Sequence, residues 1–324
     1  MDCISCINFY FSFIALCTRT DELISFLQAH QVLPATVDCP KCKAPCKFVQ
    51  EGFRLRFRCL RRFKVPKRKL SKRCNFSVSA KKGTIFDGSH LNITTICQFI
   101  CHWLHGAYPR QRFLVEELQM SSATIIAWSS FCREICINYL SLISAILGGD
   151  GVTVEIDEAM TGKLGDKIEG RWFLGGFERD TKKLFIVPIP DRSAATFLQV
   201  VRGRIMPGTT IISDCWRAYD CLNDEGFRQF TVDHRLTFVE PSTGAHSANI
   251  DRLWRDVRGK ISRYGRKEGH MVGYLAEFLF KRSVDRTNLI HEFMRAAAII
   301  YPPSDPNIGE EDPDEPRPGP SSVP

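Results

Sequence analysis

Two stretches decide the fold: Val152–Asp157 (VTVEID) and Thr209–Asp214 (TTIISD). Each is a short run rich in β-branched residues that closes on an aspartate. Apolar and polar residues alternate in the first, and the second reads as a short buried strand. After the first come Arg171–Glu178 and Leu184–Ile189, joined by the polar turn Arg179–Lys183, which predicts a three-stranded meander. Ser193–Ile205 reads as a helix capped by Ser193 and ended by Pro207-Gly208. Beyond Asp214 the pattern predicts a helix over Trp216–Asp224, a strand around Arg228–Val232, and helices over Ala245–Tyr264 and His270–Lys281.

Strands that end in a lone Asp bring their carboxylates to one sheet edge when they lie side by side. Hard divalent cations take oxygen ligands there, and Mg²⁺ keeps several waters besides. A third acid is available in Ala248–Lys260 (ANIDRLWRDVRGK). Ile250, Leu253, Trp254 and Val257 mark the packed face of that helix, and Asp251 sits beside it. Asp157, Asp214 and Asp251 are therefore the candidate catalytic residues and ligands for Mg²⁺ or Mn²⁺. Taken singly, each is more simply an exposed strand end or a helix cap; the order strand, strand, helix gives the set its meaning. Two ions about 3.5–4 Å apart on such carboxylates serve phosphoryl transfer.

The charge distribution points to the substrate. The 324 residues hold 44 Lys and Arg against 36 Asp and Glu, a net of +8. The tail Pro302–Pro324 carries six acids and one Arg, so the 301 residues before it carry about +13. Glu51–Lys82 alone has thirteen Lys and Arg and one acid. A basic block of this kind suits double-stranded DNA, with Arg61, Arg62, Lys67, Arg68 and Lys69 as candidate phosphate contacts. A hydrophobic content of 44% excludes a wholly disordered or collagen-like chain. No run reaches the roughly 18–20 apolar residues of a spanning helix, so no membrane partner is expected. The apolar start Asn8–Cys17 lacks the positive residues that precede a signal sequence.

Fourteen cysteines in a chain this long do not form a secreted disulfide framework, which points to a reducing, intracellular compartment. Cys97, Cys101, Cys132 and Cys136 sit singly in apolar stretches, as small hydrophobes do. Cys39 and Cys42 (CPKC) have the spacing of a zinc knuckle. Cys59 and Cys74 are the candidate second pair for Zn²⁺, provided that Leu60–Arg73 loops out; Cys46 is a spare thiol. Leu91–His105 reads as a helix, followed by helices over about Gln111–Glu117 and Ser122–Leu147. Gln111–Cys132 has the outline of a helix-turn-helix. Met120-Ser121-Ser122 forms the turn, Ser122 caps the second helix, and Thr124, Ile125 and Trp128 are carried toward a major groove. The expected organisation is an N-terminal segment (1–36), a zinc-ribbon-like basic region (37–90) and a helical DNA-binding region (91–148). A catalytic domain (151–295) follows the break at Gly148-Gly149-Asp150-Gly151, and 302–324 is a disordered acidic tail.

With these motifs assembled, Asp157–Lys163 (DEAMTGK), Gly170–Phe177 (GRWFLGGF), Ser213–Tyr219 (SDCWRAY) and Glu240–Lys260 resemble the DDE transposases of Merlin-type transposons and their insertion-sequence relatives. The likeness extends upstream to CPKC at Cys39 and to RCNFSVSAKKGTIFDGS from Arg73, and spans roughly Val37–Arg282. It implies an α/β fold with an RNase H-like, retroviral-integrase-like catalytic core behind a zinc ribbon and a helix-turn-helix-like region. It also implies metal-dependent cleavage and strand transfer at terminal inverted repeats, a homo-oligomer that pairs two ends, and a nuclear location in a eukaryote or a cytoplasmic one otherwise. By position, Asp157 and Asp214 are the first two catalytic acids. Asn249, Ile250 and Trp254 keep the frame of the third, but Asp251 stands where the family usually has Glu. Asp is one methylene shorter, and a misplacement of about 1 Å can cost around a hundredfold in rate. Asn249 or His246 is an alternative partner at this position. The family's Lys seven residues on is Arg258, which with Lys260 completes the candidate DNA contacts. His234 falls where relatives often have an Asn-His pair. The departures leave a second reading, a catalytically inactive DNA-binding protein derived from such an element.

Overall fold

The computed structural model describes residues 9–64, 71–106, 111–143, 146–161, 171–214, 222–232, 246–262, 265 and 268–303. The predicted helix over Trp216–Asp224 and the acidic tail, like Trp216, His234, Lys67, Arg68 and Lys69, fall wholly or mostly outside the described residues. The chain divides into two compact units. One comprises residues up to Asn138 together with those from Val284 on; the other runs from Tyr139 to Ser283.

In the first unit, α1 (Tyr10–Cys17) and α2 (Thr20–Ala29) lead into the cysteine-rich region. The apolar start is part of a packed core: Phe13, Leu16 and Cys17 of α1 are buried. β1 (Lys47–Glu51) and β2 (Arg54–Arg58) form an antiparallel hairpin. Then come β3 (Arg62–Lys64), β4 (Ser71–Arg73) and β5 (Ser77–Ser79). β5 pairs antiparallel with the far side of β2. On β2, Leu55 and Phe57 are buried while Arg54 is exposed and Arg56 and Arg58 are half-buried, the period-two pattern of a sheet with one wet face. The helices α3 (Ile93–His105), α4 (Gln111–Leu118) and α5 (Ser122–Leu142) follow. Asn92 caps α3 by accepting from the Thr94 amide. Ser121, rather than Ser122, caps α5, its Oγ accepting from the Thr124 amide at 3.1 Å. α5 stops at Leu142 and not at Leu147, because Leu147–Gly148 is drawn into a strand.

The second unit begins with that short strand, β6 (Leu147–Gly148), and continues with β7 (Thr153–Thr161), β8 (Arg171–Glu178) and β9 (Leu184–Ile189). Next are α6 (Ala194–Arg204), β10 (Ile205–Met206), β11 (Thr210–Asp214), β12 (Arg228–Val232), α7 (Ala248–Lys260) and α8 (Glu268–Ser283). The main sheet has the order β12-β11-β7-β8-β9. β7, β8 and β9 are the predicted antiparallel meander, and β11 and β12 join parallel to β7. This order sets the strand of Asp157 between the strands of Asp214 and Gly175. Alternation sorts the side chains between two layers. Val154, Ile156, Leu174 and Ile211 pack with Phe197 and Val201 of α6 on one face. Ala159, Phe173, Phe177 and Ile186 pack with Ile250, Leu253, Trp254 and Val257 of α7 on the other. At roughly 25 cal/mol per Å² of buried apolar surface, these two layers dominate the unit's stability.

The last helix, α9 (Leu289–Ile300), buries Leu289, Ile290, Phe293 and Met294. It clusters with the first unit, whereas the sequence reading places residues up to 295 with the catalytic domain. Its Phe293 ring lies 6.1 Å from Trp103 of α3.

Candidate active site and metal centre

Asp214 ends β11 as expected, but Asp157 lies in the middle of β7, because pairing with β8 carries that strand on to Thr161; the two aspartates are related through the sheet register. β11 pairs in parallel with β7, Ile212 standing opposite Glu155. The ladder ends there; continued by two residues on both strands, it sets Asp214 beside Asp157 on the same face, in keeping with the charge of Asp214 acting on Asp157. Asp157 also stands opposite Gly175 of β8, and the space above Gly175 is filled by Ile250 and Trp254 of α7. Asp157 thus looks toward the helix that carries Asp251. Burial pushes the Asp157 carboxyl up to about 8, with further contributions from the negative charges of Glu158, Asp214 and Asp251. The three aspartates therefore share one electrostatic environment, in which Asp157 keeps its proton at neutral pH when no cation is bound. Carboxylates that repel one another in a half-dry setting are relieved by divalent cations, and the donor set fits Mg²⁺ or Mn²⁺. The acids are spread more widely than one ligand sphere: among the described residues, only four thiols gather their ligand atoms within 4.8 Å.

Ser247 steadies Asp251. Its Oγ donates to Asp251 Oδ2 at 3.4 Å, and its carbonyl accepts from the Asp251 amide at 3.1 Å. Glu155, a residue that sequence reasoning missed, sits beneath the same turn. It is fully buried, and its oxygens accept from Arg179 Nε and Asn249 Nδ2, both at 2.8 Å, and from the amides of Asn249 and Ile250 at 2.9 and 3.0 Å. Its one signal in the sequence is its place two residues before Asp157 on the same face of a strand, which by itself does not set it apart from other polar strand residues. Of the two alternatives to Asp251, Asn249 spends its side-chain amide on Glu155, whereas the His246 ring turns its buried Nδ1 toward Glu155 at 3.9 Å without a hydrogen bond, and its carbonyl accepts from Arg179. On the other face, Glu158 pairs with Arg192, whose guanidinium lies 4.5 Å over the Trp172 ring.

Arg258 and Lys260 are both exposed on α7. The Lys260 ammonium lies 5.8 Å over the Phe278 ring. Arg252 and Arg255 share this exposure, although the sequence reading left them out. Asp251, Arg255 and Arg258 recur at helical spacing, so one stripe of α7 carries an acid followed by two cations.

The four thiols named above are Cys39, Cys42, Cys59 and Cys74. Cys39 Sγ lies 3.6 Å from Cys74 Sγ, and Cys42 Sγ lies 3.3 Å from Cys59 Sγ. Four sulfurs about 2.3 Å from a tetrahedral zinc stand roughly 3.8 Å apart, so the set fits Zn²⁺. The insertion between Cys59 and Cys74 does loop out: β3 and β4 zip it into an antiparallel ribbon. The bond from the Cys74 amide to the Arg61 carbonyl, at 2.8 Å, closes its base. Burial tends to raise the Cys39 thiol, but the amides of Cys42 and Lys41 and the Cys42 and Cys74 thiols bring it down to about 7. Cys46, the spare, is packed against the cluster, and its thiol is pushed up to about 11 by burial and by the other cysteines. Arg61 is exposed but donates to the Cys42 carbonyl at 2.8 Å, so it braces the knuckle as well as offering charge. Arg62 is exposed on the ribbon.

The helical pair departs from expectation in one respect. Ile125 is buried, and Trp128 packs against Phe99 and Phe131, so neither faces a groove. The exposed residues of the first turns of α5 are Ser122, Ala123, Ile126 and Ala127.

Asp157, Asp214 and Asp251 thus share one electrostatic environment beside the main sheet of the second unit. Residues 147–283 match the ISXO2-like transposase domain, so the chain carries an insertion-sequence-related DDE transposase domain. It is also 26% identical over 96 residues to an uncharacterized transposase-like protein of Haemophilus influenzae, a stretch covering 29% of this chain and 76% of that protein. Among solved structures, it overlaps the catalytic core domain of BIV integrase with a TM-score of 0.28 and 14% identity, over 41% of this chain and 85% of that one. It overlaps the HTLV-2 integrase catalytic core domain, solved in complex with magnesium, with a TM-score of 0.24 and 10% identity, over 37% of this chain and 74% of that one. Both structural overlaps are loose, and the fold rests on the strand order described above. No described helix is long and apolar enough to cross a membrane.

Proposed function

We propose that this protein is an active transposase that cleaves DNA at the ends of a mobile element and joins those ends to a target. The observation that supports this best is the shared environment of Asp157 and Asp214 on the sheet and Asp251 on α7: burial, with added repulsion from Glu158, Asp214 and Asp251, raises the Asp157 carboxyl. Divalent cations held there would activate the attacking oxygen and stabilise the leaving one. The chain's own residues supply the rest. Arg255 and Arg258 flank the acids and bind the phosphate backbone, with Lys260 beside them. The thiolate cluster, loaded with Zn²⁺, fixes the basic strand β2 and the ribbon bearing Arg62 as a second phosphate-binding surface. Lys67, Arg68 and Lys69 belong to the same basic block by sequence. Such contacts position the duplex and make binding strongly salt-dependent. Joining two ends in one reaction calls for at least a dimer, and in a eukaryote the site of action is the nucleus.

The test is strand nicking of a labelled duplex carrying the element's terminal repeat, with Mg²⁺ or Mn²⁺, by the wild type and by Asp157→Ala and Asp251→Ala. Metal-dependent nicking that is lost in both variants supports the proposal. Tight binding without cleavage under either metal overturns it in favour of a DNA-binding derivative.

A further inference from the structure

We infer that Glu155 is a positioning residue, whose buried carboxylate holds the first turn of α7 against β7 and so sets where Asp251 stands relative to Asp157. The inference rests on reading Asp157, Asp214 and Asp251 as a divalent-cation site.

A fully buried carboxylate is costly unless its charge is matched and its lone pairs are used. Glu155 meets both conditions. Oε1 accepts from Arg179 Nε and Asn249 Nδ2, and Oε2 accepts from the amides of Asn249 and Ile250. All four acceptor positions are filled, two of them by free amides at the start of a helix, where the dipole favours an anion. α7 makes no cap bond from its own N-cap side chain, Ser247; that hydroxyl is turned to Asp251 instead. The helix is therefore capped from the sheet. The cap comes from the strand that carries Asp157, two residues away and on the same face. One short piece of β7 thus holds one acid directly and a second through the helix start. Arg179, which also donates to the His246 carbonyl, ties the residues before the helix to the same carboxylate. An ion pair of this kind is a weak source of stability compared with apolar packing, but a strong source of fixed geometry. The amide of Asn249 is a further strut of the same tether.

The experiment measures Mn²⁺ binding to the full-length, zinc-loaded protein by the electron paramagnetic resonance signal of free Mn²⁺. The proteins compared are the wild type, Glu155→Gln, Asp251→Ala and the double variant, each checked for zinc content and cooperative melting. Loss of a residue that orients a metal ligand commonly costs about 10–100-fold in affinity. Glu155→Gln is expected to weaken Mn²⁺ binding about tenfold in the wild-type background and to add nothing once Asp251 is gone. Equal losses in both backgrounds, or no loss in either, overturn the inference while leaving the metal site standing. A wild-type protein that binds no Mn²⁺ overturns the site reading and this inference together. Should Glu155→Gln fail to fold, Asn249→Ala removes a single strut and is judged in the same way: a smaller loss that vanishes in the Asp251→Ala background supports the tether, and any other pattern overturns it.

Discussion

The indole of Trp254 occupies the space that a side chain at Gly175 would need. A Cβ on Gly175 would stand 2.9 Å from Trp254 Cζ2 and 3.1 Å from Ile250 Cδ1. The glycine is thus required by close approach and not by backbone angle, and it lets α7 lie flat beside Asp157. Gly175→Ala should lift the helix. Overpacking of this kind costs about 1–3 kcal/mol, read as a lower melting temperature. Displacing Asp251 by about 1 Å should cut metal-dependent nicking by around a hundredfold. A variant that melts lower but nicks normally would show that α7 does not position the acid.

Asp157 gives the apo protein a pH dependence of definite sign. Its carboxyl is raised to about 8 in the folded state, chiefly by burial, against about 3.9 when unfolded. Between those values the native state binds the extra proton, so stability is full below about pH 4 for this group and falls as pH rises toward 8. Asp157→Asn removes the cost of ionisation and should raise the melting temperature at pH 8–9 while leaving it little changed at pH 4. Mn²⁺ displaces the same proton, so wild-type affinity should increase with pH through this window, which titration calorimetry in buffers of different ionisation enthalpy would show.

The thiolate cluster should carry one zinc per chain. Cys59→Ser or Cys74→Ser should abolish it and unfold the hairpin region, because structural zinc supplies much of the folding energy of such small elements. Cys46→Ser should retain the metal, since its sulfur stands outside the four that converge. Metal analysis together with the thiolate-to-metal bands of the Co²⁺-substituted protein distinguishes these cases.

The cationic stripe of α7 predicts a graded loss. Arg255→Ala and Arg258→Ala should each weaken binding to any duplex about equally, and each should reduce the slope of log K against log salt by about one. Salt titration of a fluorescent duplex measures this. A loss confined to one DNA sequence would mean base contact in place of phosphate contact.

Much of the core could be read from the chain because its strands alternate. VTVEID assigns Val154 and Ile156 to one layer and Asp157 to the other, and the same rule pairs Asp157 with the Asp214 strand end. Spacing defined the Cys39–Cys42 knuckle, but Cys59 and Cys74 stand too far apart in sequence for spacing to pair them, and only the ribbon of β3 and β4 shows how they come together. What escaped was tertiary. Glu155 looks like any polar residue on a half-buried strand until the start of α7 is laid upon it. Ile125 and Trp128 were expected to face DNA because a helix-turn-helix outline is silent about which side of a helix the neighbouring helices cover. The same limit applies to α9, whose apolar face gives no sign that its partners are far away in sequence.

That last helix has a consequence for how the protein is made. The transposase unit is one unbroken stretch of chain, whereas the cysteine-bearing unit is interrupted by it and closed only by α9, whose Phe293 lies against Trp103. On the ribosome, domains generally fold in order of emergence. Here the second unit is complete first, and the N-terminal one waits for the final helix with part of its apolar surface bare. A nascent chain that has reached Ser283 holds every residue of the second unit while the first still lacks its last helix.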